Sequence, residues 1–104
     1  MKARFLPAAE LEFVKELAYY SKARRGAAER FESSVEAAAQ MATRHPQGGA
    51  PSYKETRTYR IKGFPFSLVY RASGHEVLVV AIAPHAKKPN YWAARVDEVG
   101  KSVA

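Results

Sequence analysis

Apolar positions change period once along this chain, dividing it into a helical half and a strand half. Leu11, Val14, Leu17 and Ala18 recur at helical spacing, flanked by Phe13 and Tyr20, which predicts an amphipathic helix over residues 8–22. Pro7 suits its first turn, where a missing N–H costs nothing, and Glu10 and Glu12 follow where negative charge complements the helix dipole. Arg24-Arg25-Gly26 then offers a break, with basic groups near the carbonyl end and glycine relaxing the backbone. Phe31, Val35, Ala38 and Ala42 mark a second stripe and predict a helix over residues 27–44. Its alanines let the first helix approach closely, giving an αα-hairpin. Ahead of both, Met1–Leu6, with Phe5 and Leu6 apolar, reads as a short edge strand.

His45-Pro46-Gln47-Gly48-Gly49-Ala50-Pro51 is turn chemistry throughout and ends the helical half. From Glu55 the period is two: Tyr59 and Ile61 point one way, Thr58, Arg60 and Lys62 the other. Gly63-Phe64-Pro65 turns the chain, and Phe66, Leu68 and Tyr70 alternate with Ser67, Val69 and Arg71. Ser73-Gly74 supplies a tight hairpin turn into Val77–Ala83, which is apolar on both faces and so belongs inside a sheet. Pro84 stops that strand, and Tyr91 to Val99 predict a short final helix that frays towards Gly100. The expected fold class is α+β in the order β-α-α-β-β-β, followed by that short C-terminal helix. A helical hairpin packs on one face of a small, mostly antiparallel sheet, and the other face or its rim stays exposed.

Composition narrows the function classes. The 104 residues, 47% hydrophobic, suit one domain, 1–104, with a single modest core. Without cysteine there is no disulfide, thiolate nucleophile or Cys-ligated zinc site. No apolar run approaches the roughly 20 residues of a membrane span, and Met1–Pro7 lacks the apolar core of a signal peptide, so a cytoplasmic protein is expected. The net charge of +7 is uneven: residues 1–40 carry seven Lys/Arg against six Glu, residues 41–104 ten against four acids. An excess of cations in the strand half suits nucleic acid or an acidic protein; a soluble protein of high isoelectric point accounts for it equally well.

Candidate chemistry gathers after the most apolar strand. His85 and Tyr91 are able to shift protons, and Lys87, Lys88 and Arg95 to neutralise a phosphate. In the plainer reading His85 caps the strand end, the lysines are solvated, and Tyr91 and Trp92 pack under the sheet. Arg57, Arg60, Lys62 and Arg71 form an outward row, either a binding stripe or charges that keep an edge strand from aggregating. His45, His75 and His85 lie too far apart in sequence for a helical metal site, and no phosphate-cradling glycine loop or paired carboxylates appear, so neither metal nor cofactor is expected.

Tyr19-Tyr20, Phe64-Pro65-Phe66-Ser67-Leu68-Val69-Tyr70 and His85-Ala86-Lys87-Lys88-Pro89-Asn90-Tyr91-Trp92-Ala93-Ala94-Arg95 resemble the RelE/ParE superfamily of type II toxin–antitoxin modules, often called plasmid-stabilisation proteins. The resemblance runs from Phe5 to Arg95 and implies the same fold, with a small acidic antitoxin that neutralises a growth-inhibiting toxin. RelE-type members are similar to ribosome-dependent mRNA endonucleases and carry an arginine in the strand matching Phe66–Tyr70 and another just after the last strand. Here those positions are Ser67 and Ala86. Neither replaces a guanidinium electrostatically. The resemblance therefore implies a ParE-like toxin that binds DNA gyrase, with ribosome-dependent mRNA cleavage as the alternative. The target-binding set would be Arg60, Lys62, Arg71, Lys87, Lys88, Trp92 and Arg95; Tyr19 and Tyr20 would meet the antitoxin; His85 and Tyr91 would be the groups available for catalysis.

Overall fold

The computed structural model describes the backbone of residues 1–103 and the side chains of residues 1–98. The elements run β1 (Lys2–Phe5), α1 (Pro7–Ala23), α2 (Ala27–Arg44), β2 (Ala50–Pro51), a single 3-10 turn (Tyr53–Glu55), β3 (Arg57–Ile61), β4 (Phe66–Ser73), β5 (Glu76–Pro84) and α3 (Ala93–Val103). One five-stranded sheet has the order β1-β5-β4-β3-β2. Only β1 is parallel to its neighbour, pairing with β5 from Lys2↔Glu76 to Phe5↔Val79. The expected order and class hold, and β5, apolar on both faces, lies inside the sheet. The two-residue strand β2 is additional; its proline blunts the free edge beside β3.

The hairpin forms at the expected place. Gly26 takes φ +75° immediately before α2, a conformation that costs a glycine nothing. The inward face of α1 differs from the spacing-based expectation. Ala9 is fully buried and Phe13, Leu17 and Tyr20 pack on the core, whereas Leu11 and Val14 are 71% and 54% exposed and Ala18 also faces solvent. Apolar residues occupy both sides of α1, so helical spacing alone does not decide which side turns in. The side bearing two aromatic rings buries more area and wins.

On the hairpin side of the sheet, Phe31, Val35, Ala38 and Ala42 of α2 meet Ile61, Phe66, Leu68, Tyr70, Val77, Val79 and Ile82. Phe31 is the hub, with ring centroids of Phe13, Tyr20, Phe64 and Phe66 between 5.1 and 6.0 Å away. The opposite face is partly covered, where the sequence predicted it open. Leu6, Val69, Val80, Ala81, Trp92 and Val96 form a second core there, under the turn before α3 and the start of that helix. The helix runs Ala93–Val103; the expected fraying towards Gly100 falls on residues whose side chains, like Ala104, lie outside the described residues.

A bulge makes the second core possible. Val69 pairs with Ala81 and Tyr70 with Val79, leaving Val80 as an extra residue on β5. Val80 and Ala81 therefore both reach the α3 side, while Val79 and Ile82 stay on the hairpin side.

Candidate functional site

β3 and β4 present a polar pair on the part of the α3-side face that α3 leaves bare, beside Ala83 of β5. Arg60 of β3 lies directly opposite Ser67 of β4, and Ser67 opposite Ala83 of β5. Ile61 and Leu68 are fully buried on the other side, so strand alternation fixes these outward positions. His85 follows Pro84, which ends β5. Its backbone N–H donates to the Pro65 carbonyl at 3.0 Å, and its Nε2 lies 2.9 Å from Ser67 Oγ. Arg60, Lys62, His85, Ala86, Lys87 and Lys88 are all exposed. Arg71 is half-buried and donates to Glu55 at 3.3 Å.

From Arg57 to Arg95 the chain contains seven Lys/Arg and one acid, Glu76. That acid sits at the far end of β5 and is held by Arg4 at 2.9 Å, which keeps its carboxyl below the usual range. The bare face is therefore cationic without an acid of its own strands to offset it.

The segment after Pro84 is fixed at two levels. Lys87 N–H donates to the Pro84 carbonyl and Tyr91 N–H to the Lys88 carbonyl, and Asn90 takes φ +62°, which asparagine tolerates. Lys87 Nζ sits 4.3 Å from the Tyr91 ring centroid. Below this turn, Glu12 of α1 gathers three donor groups. Its carboxylate accepts from Tyr91 Oη at 2.5 Å, from two Arg95 nitrogens at 2.9 and 3.0 Å, and from the Ile82 N–H at 3.1 Å. Arg95 also donates to the Val80 carbonyl at 3.0 Å. Burial and the Glu12 carboxylate push the Tyr91 phenol well above its ordinary pKa, because a phenolate there would be desolvated beside another anion. The Arg95 guanidinium is likewise stabilised in its charged form by its hydrogen bonds to Glu12.

The predicted site residues therefore separate. Arg60, Lys62, Lys87, Lys88 and His85 are exposed, with His85 against Ser67, Lys87 over the Tyr91 ring, and Lys62 at the sheet rim beside α2. Tyr91 and Arg95 are committed to Glu12, and Trp92 is only 3% exposed in the second core. Tyr19 is 61% exposed, with its ring edge-on to Tyr20 at 5.1 Å. Tyr20 itself joins the aromatic cluster around Phe31 and Phe64. Sequence reading missed Glu12, whose position in the first turns of a helix reads as a dipole partner. Its ion pair spans 83 residues, and no local spacing rule reports that.

Among the described residues no three His, Cys, Asp or Glu side chains come together as a metal site. A pocket of about 410 Å³ between the 3-10 turn and the sheet is lined by Gln47, Ser52, Glu55, Arg57 and Tyr70; Arg57, expected in the outward cationic row, lies here instead, on the side of Tyr59 and Ile61, and donates to the Gly49 carbonyl at 2.8 Å. Among the described residues no helix is long and apolar enough to cross a membrane.

Against known families, residues 3–89 match the description "ParE toxin of type II toxin–antitoxin system, parDE". The chain belongs to the ParE toxin family. The match covers β1 through Lys87 and Lys88, and leaves the Tyr91–Arg95 anchor beyond its end. The fold also resembles a solved structure described as the chromosomal ParDE toxin–antitoxin system from P. aeruginosa. That likeness has a TM-score of 0.68 at 18% identity and covers 81% of this chain and 95% of the other. No curated protein matches the chain. Membership makes this chain a type II toxin by family and agrees with the resemblance read from its strand and post-strand motifs.

Proposed function

We propose that this ParE-family toxin acts by binding, with DNA gyrase as its target, and that a small acidic antitoxin neutralises it in the cytoplasm. The observation that carries the binding reading is the fate of the aromatic and guanidinium groups near His85. Tyr91 is held by Glu12 as a hydrogen-bond donor with its proton more tightly bound than usual, and Arg95 is spent on the same carboxylate. With Ser67 and Ala86 where RelE-type arginines would stand, the bare face offers charge and hydrogen bonds but little means of moving protons at a phosphodiester. Arg60, Lys62, Lys87 and Lys88 are the target contacts in this reading. Arg71 is paired with Glu55, Trp92 is buried in the second core and Arg95 is paired with Glu12, so these three are left out of the contact set.

The antitoxin would dock on the hairpin. Leu11, Val14 and Ala18 follow one another along the outer side of α1, and Tyr19 projects beside them. Lys15, Lys22, Arg24 and Arg25 are exposed on the same helix and the turn after it. An acidic amphipathic helix would match both the apolar stripe and its cations. Tyr20, packed in the core, contributes rigidity rather than contact.

The test is gyrase supercoiling and ribosome-dependent mRNA cleavage, run on one set of variants. Lys87→Ala and Lys88→Ala should each weaken gyrase inhibition by about 1 kcal/mol, as rim charges do, and His85→Ala should leave it unchanged. The Ser67–His85 contact favours mRNA cleavage as a second reading. Cleavage by the wild type that disappears in His85→Ala would establish that reading and overturn the first.

A further inference from the structure

β5 is longer than the strand that covers its outer edge. β1 pairs with it as far as Phe5↔Val79, the Leu6 N–H donates once more to the Val79 carbonyl, and the chain then turns into α1. Beyond that point β5 continues to Pro84 with backbone groups on this edge that no strand serves. Side chains serve them instead. Glu12 accepts from the Ile82 N–H at 3.1 Å, Arg95 donates to the Val80 carbonyl at 3.0 Å, and Tyr91 Oη lies 3.5 Å from the Ile82 carbonyl. Glu12 joins the set by binding both other members.

We infer that Glu12 is a positioning residue: through Ile82, Tyr91 and Arg95 it fixes where the segment from His85 to Trp92 leaves the sheet. The ion pair is mostly shielded, with the side chains of Arg95 and Glu12 only 22% and 18% exposed, so water competes for it weakly. The side-chain hydrogen bonds of Glu12 reach Ile82 of β5, Tyr91 in the turn before α3 and Arg95 in its first turn, while its neighbours Leu11 and Val14 point outward from α1. The segment it holds has two local turn bonds of its own, Lys87 N–H to Pro84 and Tyr91 N–H to Lys88. Trp92 seats its far end in the second core, and the anchor to Glu12 adds the polar tie to the sheet edge. The importance of that placement for toxicity rests on the proposed target contacts at Lys87 and Lys88.

Amide hydrogen exchange on the full chain tests it. In Glu12→Ala the amides of Ile82, Tyr91, Ala93 and Arg95 should exchange at least about 10-fold faster, while β3 and β4 amides stay within about twofold of wild type. Glu12→Gln keeps an oxygen for the Ile82 N–H but loses the charge. Ile82 should then remain protected while Ala93 and Arg95 speed up, a split that general weakening of the fold would not produce. Tyr91→Phe removes a single donor and should accelerate Tyr91 and Ala93 about threefold; it decides the matter if Glu12→Ala does not fold. Unchanged exchange at these amides, or equal acceleration throughout the sheet, overturns the inference. Growth inhibition by the same variants separates the two ideas. Loosened amides with undiminished inhibition would uphold the positioning role and refute the assignment of toxicity to this segment.

Discussion

Replacing Leu11 with alanine should separate what the outer side of α1 does from what holds the protein together. Full burial of a leucine side chain is worth roughly 1.5–3 kcal/mol. Leu11 is 71% exposed in the free protein, so most of that remains to be gained on docking, about 1–2 kcal/mol. Leu11→Ala should therefore weaken antitoxin binding by about 5- to 30-fold. The small part already buried limits the loss in folding stability to under about 1 kcal/mol, and alanine's better helix propensity offsets some of it. Titration calorimetry with the antitoxin, beside thermal unfolding of the free toxin, reads both quantities. Val14→Ala, at 54% exposure, should follow with about 1 kcal/mol, and the two losses need not add, since the residues are one helical turn apart. An affinity unchanged within twofold would refute the docking assignment. A fall in stability as large as the fall in affinity would show that Leu11 acts through the fold.

Trp92→Ala should cost about 3–5 kcal/mol of folding stability in chemical denaturation, because its 3% exposed ring fills the second core; a loss below 1 kcal/mol would mean that this core collapses to fill the space. Gly49→Ala should destabilise the toxin by about 1–3 kcal/mol, because an added Cβ would sit 2.5 Å from Tyr70 Oη and 3.0 Å from the Thr58 carbonyl, both held in the structure. The Tyr91 phenol is raised mainly by burial, so the unfolded chain releases that proton first as pH climbs through about 10. Its contribution is thus complete below that pH and is lost progressively above it, and Tyr91→Phe should flatten the alkaline fall in Tm while lowering Tm at neutral pH. Tyr20 and Tyr70, raised in the same direction by burial, should preserve part of the alkaline slope.

Local pattern carried the element order well, because period, proline and glycine act within a few residues. Residues 27–44 were legible as α2 to the residue, and Val77–Ala83 as an interior strand. What escaped was long-range. The inward side of α1 depends on Phe13 and Tyr20 finding Phe31 and Phe64, and nothing in α1 alone ranks that side above Leu11 and Val14. The surface cations Arg60, Lys62, Lys87 and Lys88 lie where alternation and the break at Pro84 put them. Arg95 and Trp92 both stand in the target-binding set, yet Arg95 meets a carboxylate 83 positions earlier, and Trp92 packs in the second core as its plainer reading has it.

Val80 has a consequence that concerns length rather than chemistry. Remove it, and the inward–outward alternation of β5 would still run correctly through Val79, Ala81 and Ile82, with every β4 partner retained. Cross-strand pairing therefore does not require it. A bulge bends a strand and tightens its twist, so the added residue acts as a wedge that turns the end of β5 before the cationic run begins. Two chains of this kind that differ by one residue here would share the same sheet and the same core on the hairpin side, yet differ in the second core and aim their lysines in different directions. Insertions and deletions at this point are a route by which such a toxin changes what it meets while its hairpin-side core stays as it is.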